Sequence, residues 1–193
     1  MKLNIITATI VTFALATGLC AQTSLSLQPS PDTQPSVQDR RWSFEMFATG
    51  MTDVTNRDVT LFGATAGVGY YVLDNLAISL ELSAYNVDQD TGDTGAAGIT
   101  LGLRHHLMHI GKASLFVDVA GGFMTAGARM PPGGTSSNTT FDVGPGIAYP
   151  IGENRYLIGG VRYFHLSNAN REGDDRNPSM NSVQGFVGVM FRF

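Results

Sequence analysis

The sequence predicts an all-β fold, an eight-stranded antiparallel outer-membrane β-barrel, on three observations. From Trp42 onward, eight segments alternate apolar and polar residues with a period of two. The connections between them alternate short and long, as expected for short periplasmic turns and longer outer loops. No apolar run after Ala21 approaches the roughly 20 residues that a membrane-spanning helix needs. If the chain crosses a membrane, it crosses with strands.

The N-terminus, MKLNIITATIVTFALATGLCAQ, carries one lysine, an apolar run and then small residues. That order is a secretory signal, with cleavage expected after Ala21, so that residues 1–21 are removed. Cys20 invites a lipoprotein reading, but the leucine directly before it fits poorly where a small residue is required. Cleavage removes the only cysteine, so the mature chain can form no disulfide. It also removes Lys2, leaving 11 basic against 16 acidic residues and a net charge of −5. That balance argues against nucleic acid as a partner. Residues 22–40 are rich in Ser, Pro and Gln and bury too little apolar surface to offset ordering entropy, which predicts a disordered periplasmic leader. Residues 41–193 form the expected barrel.

The first segment runs from Trp42 to a connection expected near 51–57, and the second from there to one near 72–75, with the glycine-rich runs GATAGVG and GVGYY in the second. These runs do not open helices, so they are not phosphate cradles; they read as small residues where strands approach closely. The third segment is the cleanest. Leu76, Ile78, Leu80 and Leu82 share one face, and Ala77, Ser79, Glu81 and Ser83 the other. In the fourth, Ile99, Leu101 and Leu103 alternate with Thr100, Gly102 and Arg104. The fifth opposes Leu115, Val117 and Val119 to Phe116, Asp118 and Ala120, and the sixth opposes Phe141, Val143, Ile147 and Tyr149 to Asp142, Gly144 and Gly146. The seventh places Val161, Tyr163, His165 and Ser167 opposite Arg162 and Phe164. The eighth sets Val183, Gly185, Val187, Val189, Phe191 and Phe193 against Gln184, Phe186, Gly188, Met190 and Arg192. The remaining connections are expected near 109–112 and 150–154 at the inner end, and near 87–95, 125–138 and 168–180 at the outer end.

Charges on the polar faces nearly balance: Glu45, Glu81, Asp118 and Asp142 against Arg104, Arg162 and Arg192. Side chains just fill the interior of an eight-stranded barrel, so such charges can pair there, which disfavours an open pore. A soluble barrel of lipocalin type would instead turn its apolar face inward and leave the aromatic last strand without a role.

The alternation has a chemical consequence. A charge facing mid-bilayer lipid costs about 2–4 kcal/mol, so Arg162 faces the lumen. His165 and Ser167, of opposite parity, then face lipid at the outer end of strand seven. A serine hydroxyl becomes a nucleophile with a base in reach, and residues i and i+2 share a strand face. Asn181 has the parity of lipid-facing Val183 and lies just across the hairpin, where its amide oxygen could orient the histidine. A nucleophile and base aimed at the membrane suggest an enzyme whose substrate is a lipid.

The segments HLSNAN (165–170) and RNPSMNS (176–182), with the closing strand ending in Phe193, resemble the PagL-type lipid A 3-O-deacylases. The resemblance is specific over 163–193 and architectural elsewhere. It implies an outer-membrane acyl hydrolase that removes the 3-linked hydroxyacyl chain of lipid A. It places the base on His165 and the nucleophile on Ser167, with Asn168 and Asn177 as oxyanion donors. Where the family pattern has a glutamate completing the triad, this chain has Asn181. A neutral amide can orient the ring but cannot stabilise an imidazolium with a full charge, which implies a slower enzyme; Glu172, Asp174 and Asp175 are substitutes from the same loop. No cofactor is expected. Lipid A or lipopolysaccharide is the expected partner, with a homodimer as an open option.

Two other readings accompany this one. His105, His106 and His109 invite a metal site, but no cysteine or carboxylate at ligand spacing completes it. The chain could also be a non-enzymatic structural or adhesive barrel of OmpA or OmpX type, in which the loops carry function and His165 and Ser167 are ordinary interfacial residues.

Overall fold

A computed structural model of the chain describes residues 41–55, 59–173 and 178–193. The expected signal (1–21), the leader (22–40) and the loop residues Asp174, Asp175 and Asn177 lie outside the described residues. The strands are β1 Trp42–Asp53, β2 Thr60–Leu73, β3 Leu76–Asp88, β4 Thr94–Ile110, β5 Ala113–Met130, β6 Thr135–Gly152, β7 Arg155–Ser167 and β8 Met180–Arg192. Each pairs antiparallel with its chain neighbours, and β1 closes on β8 from Ser43↔Arg192 to Asp53↔Ser182. Closure leaves no open sheet edge, which is what a sheet needs in lipid, where unpaired backbone groups find no water.

The faces follow the alternation. Ile78, Leu80 and Leu82 are exposed while Ser79 and Glu81 between them are buried, and Leu101 and Leu103 are exposed while Arg104 is buried. Apolar residues outside and charged residues inside are the reverse of a soluble barrel. The outer apolar face is the lipid-facing band of an outer-membrane protein.

The interior is filled in layers. At its centre Arg104 donates through Nε and Nη2 to both oxygens of Asp118 (2.8 and 3.1 Å) and through Nη1 to Glu45 (2.6 Å). Arg162 donates to Asp118 at 2.6 Å and lies 3.6 Å from Glu81 and 3.5 Å from Asp142. The expected pairing of opposite charges is therefore present for six of the seven residues. Arg192 departs from it. Its guanidinium lies over the ring of Tyr71 at 3.9 Å and near that of Tyr156 at 5.4 Å, so aromatic faces take the place of a carboxylate.

Toward the outer end the lumen is closed by Met51, Leu61, Val87, Met130, Leu166 and Met180, all buried. Toward the inner end it is filled by Phe47, Phe116, Ile158, Phe186 and Met190. Beside the ion network an interior space of about 10 Å³ remains, room for about one water molecule. Layers this dense give no path for a solute.

The inner connections shrink to two residues each, 74–75, 111–112 and 153–154, with Gly111 supplying a left-handed φ of 59° in the second turn. One outer connection differs from expectation. Residues 125–138 read as a long loop, but β5 continues to Met130 and β6 begins at Thr135, leaving only 131–134 as the turn. The ladder is irregular between Thr125 and Met130, and Asn138 ties the hairpin by donating through Nδ2 to the carbonyls of Met130 (2.9 Å) and Thr135 (3.1 Å). Strands that rise beyond the bilayer are wet on their outward face and need no apolar residues there. The period-two signal fades although the pairing continues.

Candidate active site at the outer end of β7 and β8

Strand β7 keeps its alternation to its end. Arg162, Phe164 and Leu166 are buried in the lumen, and Tyr163, His165 and Ser167 face outward. In the ladder His165 stands directly opposite Asn181 on β8 and Phe141 on β6, and Ser167 stands opposite Thr139. The site thus sits on the lipid-facing side, at the end of the barrel that carries the longer connections.

The Nδ1 atom of His165 lies 2.8 Å from Oδ1 of Asn181. A bond to a carbonyl oxygen requires the proton on Nδ1, which leaves Nε2 as the basic nitrogen. The same Asn181 oxygen also accepts the hydroxyl of Tyr163, two residues before His165 on the same face. Sequence reasoning placed Tyr163 on this face without giving it a role. The missing information is the hydroxyl's partner, which depends on cross-strand register.

After Ser167 the chain turns sharply. Ala169 and Asn170 both adopt left-handed backbone, at φ 54° and 60°. Such conformations cost on the order of 1–3 kcal/mol for a residue with a side chain, less for Asn. Asn168 holds the turn: its buried side chain accepts the Asn170 N–H through Oδ1 at 2.8 Å, and its carbonyl accepts Nε of Arg171 at 3.1 Å. The turn aims the N–H of Ala169 at Oγ of Ser167, 3.4 Å away. Among the described residues, that N–H rather than His165 is the side-chain partner of the serine hydroxyl. Glu172 is exposed in the loop.

The histidines of the inner end take a different part. His106 is buried, with Nε2 3.1 Å from the hydroxyl of Tyr71 and Nδ1 2.7 Å from Oγ of Ser114, whereas His105 and His109 are exposed. Among the described residues no group of three or more His, Cys, Asp or Glu side chains is placed to hold a metal ion.

A family model described as lipid A 3-O-deacylase (PagL) matches residues 64–190, about two thirds of the chain. The chain belongs to the lipid A 3-O-deacylase (PagL) family. The match runs from β2 through β8 and includes His165, Ser167 and Asn181. No curated protein sequence matches the chain. Among solved structures it is similar to the outer-membrane enzyme PagL, with a TM-score of 0.56 and 13% identity over 74% of this chain and 97% of that one. It is also similar to Neisserial surface protein A (TM-score 0.58, 13% identity, 80% of this chain and 97% of that one). The N-terminal β-barrel domain of Pseudomonas aeruginosa OprF gives a TM-score of 0.51 at 17% identity, over 80% of this chain and 99% of that one. At such identities these likenesses show the fold, an outer-membrane barrel. They lend no support to a homodimer.

Proposed function

We propose that this PagL-family chain removes the 3-O-linked acyl chain of lipid A at the outer leaflet by a Ser/His ester hydrolysis. The observation that carries the reading is the His165–Asn181 pair at 2.8 Å, which leaves Nε2 of a lipid-facing histidine as the base beside Ser167. The family match supplies the substrate class.

In this mechanism rotation about the Ser167 Cα–Cβ bond brings Oγ from Ala169 toward Nε2 of His165 as substrate enters; catalytic hydrogen bonds commonly tighten only in the substrate complex. Oγ attacks the ester carbonyl and Nε2 takes its proton. The Oδ1 of Asn181 orients the imidazolium, and the tetrahedral oxyanion is met by the donor end of Asn168, with Asn177 completing the set. As the carbonyl–oxygen bond breaks, protonated His165 gives its proton to the departing sugar oxygen, which leaves as a hydroxyl. Water then cleaves the acyl-enzyme, with Nε2 again as base, and releases the fatty acid.

The rival reading, a non-enzymatic barrel, is favoured by one observation: Neisserial surface protein A matches the fold as well as PagL does. The fold therefore does not choose between them; the family match and the site geometry support the enzymatic reading. Mass spectrometry of lipid A from cells with and without the protein tests the proposal. Loss of one 3-linked hydroxyacyl chain is the expected result. Unchanged lipid A in cells that hold the folded barrel would leave the non-enzymatic reading.

A further inference from the structure

Asn181 stands where the family resemblance expects a glutamate, and the exchange creates a problem that a carboxylate does not have. Either oxygen of a carboxylate accepts a proton from Nδ1 of His165. An amide has one oxygen and one NH2 group, and turning it over presents donors to the ring instead. The flipped amide would donate to Nδ1, move the ring proton to Nε2 and leave His165 unable to take a proton from Ser167.

Here the Asn181 oxygen receives two donors, Nδ1 of His165 and the Tyr163 hydroxyl. Tyr163 is opposite Val183, one outward-facing position deeper than the His165–Asn181 pair, and its ring lies on the lipid-facing surface. A hydroxyl proton there has little water to turn to, and leaving a polar hydrogen unpaired in apolar surroundings is unfavourable. With Oδ1 facing inward to the pair, both protons are satisfied. In the flipped state the Tyr163 oxygen accepts from the amide, and its own proton loses its partner.

We infer that Tyr163 is a positioning residue that holds the Asn181 amide with its oxygen toward His165, and so takes over part of the role of the glutamate that this chain lacks. The inference rests on the proposed Ser/His reading, with His165 as the base. An ordinary interfacial tyrosine is the competing account, since such rings are enriched at membrane–water boundaries. That account ties nothing to the residue at 181.

The test is a four-variant comparison of refolded, detergent-solubilised barrels: the natural chain, Tyr163→Phe, Asn181→Asp and the double variant, assayed for hydroxyacyl release from purified lipid A. Phenylalanine keeps the ring, and aspartate is isosteric with asparagine but cannot be flipped into a donor. Tyr163→Phe in the natural background is expected to lower kcat by about 3- to 10-fold, the range of one hydrogen bond. On Asn181→Asp the same change is expected to cost no more than about 2-fold, because either oxygen then serves. Equal losses in both backgrounds, or no loss in the first, would overturn the inference.

A second readout does not depend on turnover. Nitrogen-15 NMR of the His165 ring, assigned by its disappearance in His165→Asn, should show the proton on Nδ1 in the natural chain. It should show a mixture of both tautomers in Tyr163→Phe. An unchanged tautomer in Tyr163→Phe would overturn the positioning role even if turnover falls. A shifted tautomer in a barrel that hydrolyses no lipid A would keep that role and remove the esterase reading.

Discussion

Arg104 and Asp118 face each other across the β4–β5 ladder inside the barrel and form a two-pronged ion pair, Nε to Oδ1 at 2.8 Å and Nη2 to Oδ2 at 3.1 Å. The second oxygen of the same carboxylate also accepts Nη2 of Arg162 at 2.6 Å. One buried acid thus bridges both central arginines, and through them Glu45, Glu81 and Asp142.

The first prediction follows from that bridge. Removing one member of a buried ion pair leaves the other uncompensated, at a cost of about 3–5 kcal/mol. Asp118→Ala is expected to lower the urea midpoint of the detergent-folded barrel, followed through Trp42 fluorescence or through the shift in gel mobility on heating. A midpoint equal to that of the natural chain would mean that the remaining acids absorb both arginines.

Gly63 carries the second. A Cβ built there would lie 2.1 Å from the backbone oxygen of Ala84 and 2.5 Å from the ring of Tyr85 on the neighbouring strand. Neither the ladder nor the buried ring can give that much room without moving the pairing of β2 with β3. Gly63→Val is expected to reduce the yield of heat-modifiable barrel on refolding, whereas Gly185→Ala, where nothing lies within 4 Å, is expected to fold normally. Equal yields from the two would refute the steric account.

Asn181 carries the third. Asn181→Ala removes the oxygen that accepts from Nδ1 of His165, so turnover on lipid A should fall by about 10-fold or more as the ring loses its fixed tautomer and orientation. Asn181→Glu should hold or raise turnover, because a carboxylate both orients the ring and stabilises the imidazolium. Indifference to both changes, with loss of activity in Glu172→Ala, would transfer the orienting role to the loop.

Much of this was legible in the sequence because a membrane barrel writes its faces into alternate residues. Leu80 and Glu81 cannot exchange sides, and neither can Phe164 and His165, so lumen, lipid face and site parity follow from one rule. The cross-strand meeting of His165 with Asn181 was within reach because a single hairpin joins their strands. Two things were not legible. The β5–β6 hairpin continues beyond the bilayer, where residues such as Ser136 and Ser137 meet water and the apolar half of the pattern is no longer required. The hydroxyl of Tyr163 finds its partner through side-chain geometry, on which period-two reasoning is silent, as it is on the turn that points the Ala169 N–H at Ser167.

The account stands most directly on Ser167. Purified natural chain and Ser167→Ala, both refolded and both shown to be heat-modifiable barrels, are incubated with lipid A, and released hydroxyacyl chains are measured by mass spectrometry. Ser167 lies at the aqueous end of its strand with no interior contact to lose, so the variant should fold as the natural chain does. The account predicts release by the natural chain and none above background by Ser167→Ala. Equal release by the two barrels would contradict it.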